Sequence, residues 1–136
     1  LGVPLTSLFQ HFEERRGAVF VKAGEGVELE RRGTRAGHQY NLLGHLAATS
    51  SGVQVEPYLT TLTTGSDVFP TFQHEGLEFL YMLEGEVVYR HGEQLFTMRP
   101  GDSLYFDADA PHGPDKLVTL PARYLSIIAY RRSLAE

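Results

Sequence analysis

His74 and Glu78 stand four residues apart in HEGLEFLYMLEGE (residues 74–86), and His112 lies near the end of RPGDSLYFDADAPHG (residues 99–113). Two imidazoles and one carboxylate on a common face are the donor set of mononuclear non-haem Fe(II) sites, and the same ligands serve Zn or Mn. All three border the most apolar runs of the chain, where an unpaired polar group is expensive to bury. The bland alternative is a hydrogen-bonded cluster in which a protonated histidine neutralises the glutamate. Without an ion or a donor, a buried Glu78 must shift its pKa upward.

Spacing limits how the first two can meet. On a straight strand, residues 74 and 78 face the same way but lie about 13 Å apart, too far to share an ion. On a helix they would be neighbours, as in zinc-protease helices. Gly76 sits between them, however, and the flanks PTFQ and FLYML favour strand. The remaining option is a bend at Gly76 that turns His74, at the end of one segment, against Glu78 at the start of the next. His112 joins them if the sheet closes on itself.

The elements that must do this are short strands. AVFVK (18–22), VELERR (27–32), YNLLGHLA (40–47) and VEPYLTTLT (55–63) alternate and are separated by glycine-containing turns. LEFLYML (77–83), EVVYR (86–90), QLFTM (94–98), SLYF (103–106) and RYLSIIAY (123–130) follow, joined by Gly-Glu, His-Gly-Glu and Pro-Gly-Asp connections. Such spacing predicts an antiparallel barrel or sandwich. A helix is expected only at the start, where Thr6 and Ser7 can cap a run carrying Leu5, Leu8, Phe9 and Phe12 on one face, with Gly17 ending it.

Composition sets the outer limits. The 136 residues suffice for one domain with a core. No apolar run approaches the ~18 residues of a membrane-spanning helix, and no secretory signal is visible at the start. The absence of cysteine leaves no disulfide framework and fits the cytoplasm. A formal net charge of −5 argues against this piece gripping nucleic acid itself. The chain opens on Leu1, and its only methionines are Met82 and Met98, so it is expected to have begun earlier. Nucleophile elbows, Walker loops and dinucleotide fingerprints are missing from the sequence.

The glycine, histidine and glutamate spacing resembles the cupin superfamily, with motifs G-x5-H-x-H-x3–4-E-x6-G and G-x5-P-x-G-x2-H-x3-N. His74, Glu78 and Gly85 fall on the second His, the Glu and the last Gly of the first motif; Gly101 and His112 fall on the first Gly and the His of the second. Phe72 occupies the first His position, Gly65 is one residue out of register, and Asp107, Asp109 and Lys116 replace Pro, Gly and Asn. A three-ligand site survives these departures. The resemblance implies an all-β, cupin-type antiparallel β-barrel (a jelly roll, or double-stranded β-helix) over residues 18–136, with a short N-terminal helix.

LGVPLTSLF further resembles the end of an XRE-type helix-turn-helix domain leading into its linker. This implies that residues 1–17 are the remnant that follows a missing DNA-binding domain. Regulators of this layout use the cupin as a sensor. The expected partners are therefore a small-molecule effector, DNA through the missing domain only, and a second copy in a homodimer, with no membrane. The expected cofactor is a divalent metal (Zn, Fe, Mn or Ni) on His74, Glu78 and His112. Pocket walls are expected from Tyr40, Phe72, Leu80, Met82 and Tyr105. Hydroxypropylphosphonic acid epoxidase shares the layout and keeps an Fe(II)-dependent oxygenase or epoxidase as the alternative. His91 is expected to be solvated in its turn, and His11, His38 and His45 to lie at the surface.

Overall fold

A computed structural model describes residues 14–15, 17–29, 38–46, 51–64 and 71–131. The expected N-terminal helix and His11 fall outside these residues. Among them every element is a strand: β1 (Glu14–Arg15), β2 (Ala18–Val19), β3 (Val27–Leu29), β4 (His38–Leu42), β5 (Val53–Leu62), β6 (Leu77–His91), β7 (Gln94–Met98), β8 (Ser103–Asp107) and β9 (His112–Arg131). No helix among the described residues is long and apolar enough to cross a membrane.

β1 and β2 form a separate two-stranded ladder. The other seven strands make one antiparallel sheet in the order β3-β4-β5-β9-β6-β7, with β8 also on β6. β6 explains how this sheet wraps. Its first half pairs with β8 (Glu78 opposite Phe106) and its second half with β7 (Val88 opposite Thr97), while β9 follows its other edge from His112 to Ala129. Register shifts between Met82 and Glu84 and between Glu84 and Val87 twist the strand at the changeover.

Three expectations are corrected here. LEFLYML and EVVYR are one strand, not two joined by a turn. Gly85 does have positive φ (78°), but a Cβ there would lie 2.4 Å from the Pro121 carbonyl and 2.6 Å from that of Thr119. The glycine marks a bulge pressed against β9, where no other residue fits. Likewise β9 begins at His112 and not near residue 123, because the stretch holding Pro114 and Pro121 still pairs along β6. YNLLGHLA is shorter than expected, ending as a strand at Leu42.

Strict alternation builds the interior. Along β5, Gln54, Glu56, Tyr58, Thr60 and Leu62 are all buried while Val53 and Val55 are exposed. Opposite them β9 turns Ala122, Tyr124, Ser126 and Ile128 inward, and β6 adds Glu78, Leu80 and Met82. Leu62, Leu80, Met82, Val87, Tyr89, Met98, Phe106 and Tyr124 form the larger apolar cluster, and Leu29, Leu42, Tyr58 and Ile128 the smaller. Burial of such side chains is worth about 1.5–3 kcal/mol each. The interior is also unusually polar: Glu56, Glu78, His38, His45 and His112 are all buried.

Candidate metal centre

Glu78 is the second residue of β6 and points inward with Leu80 and Met82. His112, the first residue of β9, is fully buried. His74 precedes β6 on a short strap, residues 72–76, that is laced to the 108–112 loop. Phe72 and His112 exchange backbone hydrogen bonds of 2.7 and 2.9 Å, the His74 amide donates to the Ala108 carbonyl, and the Ala108 amide donates to the Gly76 carbonyl. The chain bends at Gly76, which must be glycine because its φ is 108° and because a Cβ there would lie 2.2 Å from the Ala129 carbonyl.

The bend brings the three side chains together. Glu78 Oε1 lies 3.2 Å from His74 Nε2 and 3.2 Å from His112 Nε2. One donor atom from each residue fits within a set no wider than 4.8 Å. The rings stand edge to face, 5.0 Å between centroids. Glu78 Oε2 faces away from them and accepts a hydrogen bond from the Ser126 hydroxyl at 2.7 Å. Phe106 packs 4.8 Å from the His112 ring and Phe72 6.3 Å, so apolar walls shield it from water. His74 is the partly open member, with 28% of its side chain exposed.

The hydrogen bonds fix the tautomers. His112 Nδ1 lies 2.9 Å from the Ala110 carbonyl and His74 Nδ1 lies 3.2 Å from the Glu75 carbonyl. A carbonyl only accepts, so each Nδ1 carries a proton, and in the neutral ring Nε2 presents a lone pair. Without an ion, a protonated ring sets its Nε2–H and its charge against Glu78 Oε1, and an ion would take the place of that proton. His112 Nε2 is buried, and its approach to Glu78 is off the line of a hydrogen bond.

Burial pushes the Glu78 carboxyl up, but the contacts from His112, His74 and Ser126 and the charge on His112 outweigh it, holding the group at about 2 against an ordinary 4.5. An ionised carboxylate beside two Nε2 atoms, each backed by a carbonyl, is the arrangement that histidine–metal sites use. Two donors bound to one ion at ~2.1 Å sit roughly 3.0–3.4 Å apart, which both imidazole–carboxylate distances match. The residues fit a divalent metal.

The remaining expected wall residues divide. Leu80 and Met82 face the same interior as Glu78 but are packed into the larger apolar cluster. Tyr40 is buried on β4, between Leu29 and Thr60 in the sheet. Tyr105 is a correction: it is 67% exposed and lies against Phe79 on the outer surface. The alternation of β8 turns Leu104 and Phe106 inward, so Phe106 holds the place expected of Tyr105. His38 and His45 are buried, contrary to the expected surface positions, and His38 Nε2 lies 3.0 Å from the Thr64 carbonyl. His91 is tied down as well, 2.8 Å from the Asp107 carbonyl.

Sequence reasoning also passed over Ser126 and a second buried carboxylate. Glu56 accepts hydrogen bonds from the hydroxyls of Tyr58 and Tyr130. The only sequence signal was parity, since residues 54, 56, 58 and 60 share one face of β5. Beside the centre runs an open groove of about 800 Å³, lined by Glu75, Gly76, Leu77, Asp107, Asp109 and Tyr130; it adjoins the strap without including the triad.

A family model described as "Cupin domain" matches residues 58–128. An HTH_3 family transcriptional regulator from Vibrio cholerae is similar at TM-score 0.56 and 25% identity, over 71% of this chain and 52% of that one. The Cupin_2 domain of an XRE family transcriptional regulator from Enterobacter cloacae is similar at TM-score 0.54 and 21% identity, over 65% of this chain and 95% of that one. Hydroxypropylphosphonic acid epoxidase from S. wedmorenis is similar at TM-score 0.65 and 18% identity, over 88% of this chain and 62% of that one. The chain thus spans about half of the Vibrio regulator and under two thirds of the epoxidase. No curated protein matches the chain.

Proposed function

The chain belongs to the cupin family, and we propose that it is the effector-sensing domain of a cytoplasmic helix-turn-helix transcriptional regulator, with a divalent metal at His74, Glu78 and His112. One observation carries the reading: two imidazoles, each with Nδ1 committed to a backbone carbonyl, turn Nε2 toward one oxygen of a buried, ionised carboxylate. The likeness to the Vibrio regulator supports the regulatory context.

The ion would supply a Lewis-acidic anchor for oxygen donors of a small molecule. The protein supplies the rest. Glu78 provides the fixed negative charge, Ser126 orients it, and Phe72 and Phe106 keep water from His112. A guest enters on the side of His74. The outward side of the same strands carries exposed Val55, Leu77, Tyr81 and Tyr105, and in our reading this face meets a second copy. Effector then changes DNA binding only as far as it prefers one dimer geometry to the other.

The same donors favour a second reading, an Fe(II)-dependent oxygenase or epoxidase, because three protein ligands leave positions open for substrate and oxygen. The test uses the full-length protein purified without chelator. Metal content, and DNA affinity with and without co-purifying small molecules, are measured for the wild type and for His74→Ala/His112→Ala. The regulator reading expects bound metal and an effector response in the wild type, and neither in the variant. An unchanged response in the double variant overturns it, and turnover with oxygen consumption selects the enzyme.

A further inference from the structure

Ser126 lies on β9, 48 residues beyond Glu78, and is 2% exposed. Its inward neighbours along the strand are Tyr124 and Ile128, and Leu80 stands opposite it on β6. A hydroxyl in so apolar a row needs a partner, because burying it without one is costly. That partner is Glu78 Oε2, at 2.7 Å.

The two carboxylate oxygens therefore have separate tasks. Oε1 faces both imidazoles, and Oε2 is held by β9. A carboxylate can bind an ion through one oxygen or both. Turning Oε2 inward to chelate would break its bond to Ser126 and strand a buried hydroxyl. We infer that Ser126 is the positioning residue that makes Glu78 a one-oxygen ligand, keeping one more position on the ion open to a guest than a chelating carboxylate would leave. The inference rests on the metal reading above. Its assignment comes from the hydrogen bond and the burial, and concerns geometry alone.

The experiment loads the full chain with Co(II), the probe metal, and follows the visible ligand-field spectrum, coordination number by X-ray absorption, and Co(II) affinity by competition with a chromophoric chelator. Ser126→Ala is expected to raise the coordination number from the protein by one oxygen, change the spectrum and weaken Co(II) binding by about 10–100-fold, the usual effect of losing a residue that orients a ligand. Ser126→Thr keeps the hydroxyl and is expected to retain the wild-type spectrum. Ser126→Cys, close in size but a weak donor, substitutes if the alanine variant does not fold, and is expected to behave as alanine does. Wild-type spectra and affinity in Ser126→Ala or Ser126→Cys overturn the inference, as does a threonine variant that behaves like alanine. A wild type that binds no Co(II) sinks the metal reading and takes this inference with it.

Discussion

Acid provides a direct test of how the interior treats Glu78. The carboxyl is held at about 2 in the folded chain against an ordinary 4.5. A carboxyl whose folded pKa is depressed adds stability that is complete above the unfolded value and disappears as pH falls through the folded one. For Glu78 the window runs from about 4.5 down to about 2, and the contribution is about 3 kcal/mol. Urea unfolding of the metal-free protein, with chelator present, is followed across this range for the wild type and Glu78→Gln. Glutamine cannot ionise, so the wild-type curve should fall more steeply, and the gap between the two proteins should narrow by about 3 kcal/mol from the top of the window to the bottom. Parallel profiles would refute the claim that His112, His74 and Ser126 together overcome the desolvation of this group.

Other outcomes follow from the same geometry. His112→Ala removes a fully buried ring packed against Phe106; it should cost about 2–4 kcal/mol in urea unfolding and abolish Zn binding in a competition assay. Gly76→Ala forces a Cβ to within 2.2 Å of the Ala129 carbonyl at positive φ, so a loss of at least ~2 kcal/mol in thermal unfolding is expected, with weaker metal binding because His74 is displaced. Tyr130→Phe deletes one of the two hydroxyls on buried Glu56; the loss should be about 1–3 kcal/mol, and an unchanged Tm would deny that bond a structural role. The proposed pairing of two copies through the outer face predicts that Leu77→Glu with Tyr81→Glu lowers the mass seen by light scattering to that of one chain; an unchanged mass would refute that pairing.

The sequence carried the strands better than their lengths. Strict alternation in VEPYLTTLT was visible, but either parity could have been the inner one, since Val55, Pro57 and Leu59 are as apolar as Tyr58 and Leu62. The structure selects Glu56, Tyr58 and Thr60 for the inside, and so hides a carboxylate that the sequence did not single out. SLYF did contain the answer, because Leu104 and Phe106 form the more apolar parity, and the expectation for Tyr105 ignored it. The bend at Gly76 was legible by elimination: a straight strand holds residues 74 and 78 too far apart, and Gly76 with its strand-favouring flanks opposed the helix that would join them. The continuity of β6 through Gly85 and of β9 through Pro114 and Pro121 was not, because these residues ordinarily end strands and only the long-range β6–β9 ladder around them keeps each strand whole. Ser126 had no local signal at all, its partner lying 48 residues away.

The ladder between Phe72 and His112 has a last consequence. Its two backbone bonds fasten the strap bearing one imidazole to the first residue of the strand bearing the other, and the 108–112 loop grips the strap again at His74. Neither ring can drift without dragging its counterpart. Folding itself thus holds the backbone on both sides of the centre, which leaves little of the strap for a ligand to set in order.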